Sequence, residues 1–295
     1  MTTTLIQQLS ALLPPGGILQ GEDVSQRKAG IWRDDLIDAQ AILRPQTTEQ
    51  VSAILKICHG AGQTVVTHGG LTGLVAGADS RPVDIVLSME NMNRIEEIDE
   101  TGRTMTVQAG VPLQAIQEAA ENKGLLFALD LGARGSCTIG GNVATNAGGN
   151  RVIRYGMTRT QILGLEAVLA DGTIISSMNK MLKNNAGYDL KQLFIGTEGT
   201  LGVVTRLVVK LQTAPSSHNA ALLAVNNFND VVTLLNTIDG QLAGSLSAFE
   251  VLWHNFYRLV TTAPAIMYCS THWALISNGI NKTFRGYSNT YWKLV

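Results

Sequence analysis

Apolar positions recur along this chain in two rhythms, and the breaks between them fall at glycine and proline. Val51, Ile54, Leu55 and Cys58 repeat at helical spacing behind Thr47, which can cap a helix, with Gln50 placed to return the bond. Gly60 and Gly62 end that helix. Residues 64–67 then read as a short strand running into a glycine-rich loop, residues 84–88 as a second strand, and residues 104–108 as a third, followed by Gly110. Pro112 sits at the first turn of a helix expected through Lys123 and closed by Gly124. Residues 165–170 and 173–176 flank Asp171 and Gly172, a pair that favours a hairpin turn. Val203, Thr205, Leu207, Val209 and Leu211 alternate with Val204, Arg206, Val208 and Lys210 in one long strand. Residues 228–238 read as a helix, with a turn near Gly244. Strands and helices mixed in this order predict an α+β fold rather than a regular doubly wound sheet.

Composition narrows the classes of function. With 295 residues the chain can bury a sizeable core and has room for two domains. A charged fraction of 15% and a net charge of −1 give no electrostatic case for nucleic acid or an anionic membrane surface. No window approaches eighteen uninterrupted apolar residues, so no transmembrane segment is expected. The first residues show neither a basic stretch before an apolar one nor an Arg-rich pattern, so no import signal is expected. Cys58, Cys137 and Cys269 form no CxxC pair and fit a reducing compartment. The expected location is the cytoplasm.

Two glycine-studded segments carry the chemistry. One runs over residues 65–77 and holds Gly69, Gly70, Gly73 and Gly77; the other runs over residues 132–149 and holds Gly132, Gly135, Gly140, Gly141, Gly148 and Gly149. Glycine lets backbone approach a ligand closely and aim successive N–H groups at it, which suits a pyrophosphate. Two such loops more than fifty residues apart suggest a long, two-ended ligand, for which a dinucleotide is the natural candidate. No G-x-G-x-x-G lies between a strand and a helix, and no G-x-x-x-x-G-K-[ST] occurs, so neither a Rossmann site nor a P-loop is indicated. That absence also speaks against a nicotinamide-dependent reductase.

The ordered segments 129–149, 154–156, 165–173 and 185–202 together resemble the FAD-linked oxidases of the vanillyl-alcohol-oxidase type. Within them the chain looks most like the D-2-hydroxyglutarate and D-lactate dehydrogenase branch. Residues 42–45 and the first glycine loop join the resemblance, which is dense from about 35 to 211 and continues through 246–250. It implies a PCMH-type FAD-binding domain of two α/β subdomains over residues 35–214. Before it would stand an N-terminal helical segment, 1–34; after it, the truncated start of a substrate cap domain, 215–262. Residues 263–295 show no clean period and are expected to be a divergent tail outside the fold, as a shifted reading frame would leave.

By position, the resemblance implies that Gly69, Gly70, Leu71, Thr72 and Gly73 wrap the pyrophosphate. Gly135, Ser136, Thr138, Gly140, Gly141, Asn146 and Gly148 would line the flavin and ribityl side, and Glu198, Gly202 and Val203 the adenine or ribityl end. Relatives that attach flavin covalently use a histidine after the glycines, where this chain has Leu71 and Thr72. His68 precedes them, so FAD is expected to be non-covalent, with His68 lining the loop through a hydrogen bond or serving as a plain structural histidine. Cys137 reads as a small buried hydrophobe rather than a redox group. Arg134 could bind phosphate or be a solvated loop charge.

The activity implied is oxidation of a D-2-hydroxy acid to the 2-oxo acid by hydride transfer to FAD, with an unidentified electron acceptor. In the branch resembled, a metal held by histidines and a carboxylate polarises the substrate hydroxyl, with groups supplied from beyond residue 260. None of His59, His68, His218, His254 and His272 matches that spacing, so no catalytic residue and no metal ligand is assigned here. The alternative is a catalytically silent flavin-binding module, or half of a split enzyme. A homodimer is one assembly left open, and nothing in the sequence specifies the oligomeric state.

Overall fold

A computed structural model describes residues 4–260, 272–278 and 293–294. The chain divides into two compact units. The first holds residues 1–127, 132–147 and 158–213; the second holds residues 128–131, 148–157 and 214–295.

The first unit contains two sheets. Strands β1 (Ile18–Leu19), β2 (Ala41–Leu43), β3 (Val65–His68) and β4 (Ile85–Ser88) pair in the order β1-β2-β4-β3. Strands β2 and β3 both run parallel to β4, so Ala41 and Val65 face Ile85 from either side. β4 therefore lies at the centre, and all four of its residues are buried, as the unbroken apolar run Ile85-Val86-Leu87 requires. Strand β3 delivers the chain into the first glycine loop at its carboxyl end, the end at which parallel sheets hold ligands.

The second sheet is antiparallel. It is built from β5 (Ile95–Asp99), β6 (Thr104–Gln108), β8 (Ile162–Val168), β9 (Ile174–Ser177) and β10 (Val203–Lys210), in the order β5-β6-β10-β8-β9. Leu207 on β10 faces Val107 on one side and Leu165 on the other. Gly172, at φ +87°, turns the chain between β8 and β9, which is the hairpin that Asp171-Gly172 predicts. A short ribbon pairs β7 (Leu125–Leu126) with β11 (Gln212–Thr213).

The helix Thr48–Gly60 packs on β8 and β10 through Val51, Ile54, Leu55 and Cys58, the stripe its spacing predicts. Thr47 Oγ1 accepts the Gln50 N–H at 3.3 Å. The returning bond differs from the expected capping box: Gln50 Oε1 accepts from Gln46 N, at 2.7 Å, one residue earlier. Beneath the helix, buried Glu166 of β8 accepts from Thr48 Oγ1 at 2.7 Å, Thr205 Oγ1 at 3.1 Å and Ser176 Oγ at 3.1 Å. One carboxylate thus ties helix and sheet together. Helix Leu113–Glu121 follows Pro112, and Gly124 at φ +67° turns the chain after it.

The second unit has a sheet of β12 (Asn219–Val225), β13 (Leu246–Trp253), β14 (His272–Asn278) and β15 (Lys293–Leu294) in the order β13-β14-β12-β15. Helix Phe228–Leu242 starts under an Asn227 cap, whose Oδ1 accepts from Asp230 N at 3.0 Å. It runs one turn beyond the expected residue 238, because Leu242 continues the buried row Val231, Leu234 and Ile238. Leu223, Val225 and Leu246 complete that core. Of the range 263–295, read from sequence as a tail outside the fold, residues 272–278 pair along their length with both β12 and β13, and residues 293–294 pair with β12. The rest of that range lies outside the described residues. Among the described residues no helix is long and apolar enough to cross a membrane.

Candidate functional site

The first glycine loop leaves β3 at His68 and returns at Asp79. His68 is buried, and its Nε2 lies 2.8 Å from the Ala78 carbonyl oxygen, closing the loop on itself. Burial pushes the imidazole below its ordinary range, so the ring is neutral at pH 7 and the nitrogen facing Ala78 carries the proton. The loop is also fastened from outside. Leu71 O accepts from Ile31 N at 3.2 Å, and the Arg33 guanidinium pairs with both Asp35 and Asp79. Leu71 and Ala76 stand in left-handed backbone, at φ +52° and +58°. Non-glycine residues held there mark local strain that the surroundings must sustain.

Hydrogen-bond accounting separates the two glycine segments. Main-chain N–H groups from residues 70 to 75 donate to nothing among the described residues. In the second segment most amides from residues 136 to 147 are engaged within the protein. Ser136 N and Cys137 N donate to Ala133 O, Ile139 N to Val111 O, and Gly140 N to Ala109 O at 2.7 Å. Residues Ile139–Ala144 form a short helix, capped by Thr138 Oγ1, which accepts from Gly141 N at 3.4 Å. Gly140 is glycine because a side chain there would meet Ala109, with its Cβ at 2.7 Å. Around Gly73, by contrast, an added β-carbon would find nothing within 4 Å.

A cleft of about 180 Å³ opens along the first loop. It is lined by Gly69, Gly70, Leu71, Thr72 and Gly73, and by Thr138, Gly141 and Glu198 from the second segment and beyond. These eight were singled out in the sequence. Thr67, Arg33, Asp79, Asn142 and Thr145 join them in the lining and were not. A second cavity of about 290 Å³ holds Gly202 and Val203, with Leu55, Cys58 and His59 from the helix and Gly199 beside them. Thr67 borders both cavities.

The remaining site residues expected from the sequence line neither cavity. His68 closes the first loop, and Gly135 and Ser136 belong to the turn that precedes the short helix. Gly140 is packed on Ala109. Asn146, at φ +46°, accepts from Arg159 N through Oδ1 at 2.9 Å. Gly148 belongs to the second unit and packs against Met157 and Val152. Cys137 borders the first cleft but is buried, its Sγ 3.8 Å from Asn142 Oδ1, and burial pushes its thiol up, which leaves it protonated and inert. Arg134 does not line the cleft; its carbonyl accepts from Gln114 N at 2.9 Å. Among the described residues no three His, Cys, Asp or Glu side chains gather in a metal-binding group.

Unspent amides, a glycine with open space before it, and strained backbone on rigid strands fit the diphosphate of FAD. The cleft is smaller than the roughly 300–1,000 Å³ usual for a whole ligand pocket. Alone it therefore encloses part of a dinucleotide, with the second cavity adjoining it at Thr67.

Comparison with known proteins agrees. Residues 39–177 match the family described as "FAD binding domain". The chain is 45% identical over 252 residues to the mitochondrial D-2-hydroxyglutarate dehydrogenase of Bos taurus, covering 85% of this chain and 46% of that protein. It is 43% identical over 210 residues to the D-2-hydroxyglutarate dehydrogenase of Xanthomonas citri, covering 71% and 44%. The chain thus spans about half the length of these curated relatives. Among solved structures, alkyldihydroxyacetonephosphate synthase superposes with a TM-score of 0.80 at 17% identity, covering 94% of this chain and 56% of that one. p-Cresol methylhydroxylase with substrate bound gives 0.75 at 17% identity, covering 94% and 60%. At that identity the likeness is one of fold, and it bears out the α+β, PCMH-type expectation. The expected cytoplasmic location is corrected: the relatives from Bos taurus, Rattus norvegicus and Danio rerio carry mitochondrial names, which point to the mitochondrion instead.

Proposed function

We propose that this chain, whose residues 39–177 match the FAD binding domain family, is an FAD-linked oxidoreductase that serves in oxidising a D-2-hydroxy acid to the 2-oxo acid. D-2-hydroxyglutarate is favoured over D-lactate by the names of the relatives above. The observation that carries the reading is the row of unspent amides from residues 70 to 75 in a cleft with little free positive charge.

When bound, FAD supplies the two-electron acceptor for the hydride of the substrate α-carbon. The chain's own part is to hold and orient. The first-loop amides grasp the diphosphate, Gly73 leaves the backbone room to approach it, and His68 keeps the loop closed through Ala78. Thr138 and Gly141 present the second wall, and Gly202 and Val203 border the cavity for the adenine end. Attachment is non-covalent, since His68 is buried and its ring is engaged with Ala78.

A second reading is a flavin-binding module, or one half of a split enzyme whose other half brings the substrate-clamping groups. Anaerobic addition of D-2-hydroxyglutarate, and separately of D-lactate, to the FAD-loaded chain discriminates. Bleaching of the flavin band supports the dehydrogenase; full FAD uptake with no bleaching by either acid supports the module.

A further inference from the structure

We propose that Glu198 reads the sugar hydroxyls of the cofactor's adenosine half, and so makes the cleft selective for an intact ribose. This inference rests on the FAD reading above. Three residues lining the first cleft carry charge: Arg33, Asp79 and Glu198. Arg33 is tied to Asp35 and Asp79. The Glu198 carboxylate has no hydrogen-bond or ion-pair partner among the described residues. A free carboxylate repels a phosphate and accepts from hydroxyl donors, so the diphosphate belongs with the amides of residues 70–75 and a diol belongs at Glu198.

Position says which diol. Glu198 stands in left-handed backbone at φ +52°, its N–H donating to Ala144 O at 2.9 Å, so the side chain is fixed at its root. The carboxylate reaches the far end of the first loop, where a β-carbon on Gly77 would lie 2.9 Å from Glu198 Oε2. The next residue, Gly199, lines the second cavity, and Thr67 borders both. Glu198 therefore sits at the junction between the diphosphate cradle and the adjoining cavity. In FAD the group joining diphosphate to adenine is the adenosine ribose.

The test titrates the apo chain with FAD and with an FAD analogue whose adenosine sugar lacks both hydroxyls, following flavin fluorescence. The unaltered chain should prefer FAD by roughly tenfold or more, as a charge-assisted hydrogen bond implies. In E198A and E198Q that preference should shrink towards one, while affinity for the analogue stays within about twofold. E198G, which relieves the left-handed backbone and so keeps the fold, should behave as E198A does. Equal binding of both ligands by the unaltered chain overturns the proposal, as does an undiminished preference in E198A. A loss in E198A that is equal for both ligands assigns the carboxylate to the ribityl hydroxyls and also overturns it. If the unaltered chain takes up no FAD, the functional reading itself fails.

Discussion

Gly70 and Ser136 hold the two glycine segments against each other. A β-carbon on Gly70 would fall on the carbonyl oxygen of Ser136 and lie 2.7 Å from the α-carbon of Cys137. Both obstacles are backbone, in a turn closed by the Ser136 and Cys137 amides on Ala133 O. Gly70 is therefore glycine because another loop occupies the space, whereas Gly73 faces open cleft.

The two positions should separate stability from binding. Gly70→Ala forces backbone apart and should cost about 1–3 kcal/mol of folding stability. Gly73→Ala has room for its methyl group, so its urea midpoint should match the unaltered chain while FAD affinity falls as the methyl enters the cradle. Equilibrium unfolding and FAD titration of both variants check this. Equal stability loss in the two would contradict it.

His68 should make the loop pH-sensitive. Burial holds its folded-state pKa below the ordinary 6.5. As pH falls below about 6.5, the unfolded chain binds a proton that the folded chain resists. The stability is fully present above that pH and is lost as pH drops towards the folded value. FAD retention measured between about pH 7 and about pH 5 should decline accordingly. His68→Gln, which can still donate to Ala78 O, should flatten that part of the profile.

Glu166 should matter although it lies away from the cleft lining. Removing its carboxylate in Glu166→Ala leaves the buried Thr48 hydroxyl without its acceptor, at about 1–3 kcal/mol, while Thr205 Oγ1 keeps the main-chain carbonyl of residue 166, at 3.4 Å. The helix Thr48–Gly60 carries Leu55, Cys58 and His59 into the second cavity, so FAD affinity should fall with stability. Denaturant midpoints paired with FAD titrations test the coupling.

In the second unit, Ala243 caps helix Phe228–Leu242 in left-handed backbone at φ +48°. Ala243→Gly removes the β-carbon penalty and should stabilise that unit by roughly 1 kcal/mol. Leu234→Ala, in its core, should cost about 2–5 kcal/mol. Thermal unfolding reads both, with opposite signs.

Much of the fold was legible where periodicity and punctuation agree. Thr104–Gln108 and Val203–Lys210 are rich in β-branched and apolar residues and are buried on both faces, and Thr47, Pro112 and Gly172 mark ends by local chemistry that tertiary contacts leave intact. Helix Ile139–Ala144 was hidden because Gly140 and Gly141 look like ligand loop, and only the close approach of Ala109 explains the first of them. Strand Leu246–Trp253 has no alternation to betray it, and its partner lies beyond residue 271. In the site, the first-loop glycines were readable as a cradle. Arg33 and Asp79 were not, since residues 46 apart meet only after the chain has folded. Nor does sequence tell a loop with free amides from one whose amides are already spent.

The most direct measurement is a titration of the purified, deflavinated chain with FAD, followed by flavin fluorescence and absorbance. The expected result is saturable uptake of one FAD per chain, a yellow protein, and release of the flavin on denaturation because no covalent bond holds it. A chain that stays colourless and leaves the fluorescence of added FAD unchanged would contradict the claim that residues 70–75 form a diphosphate cradle.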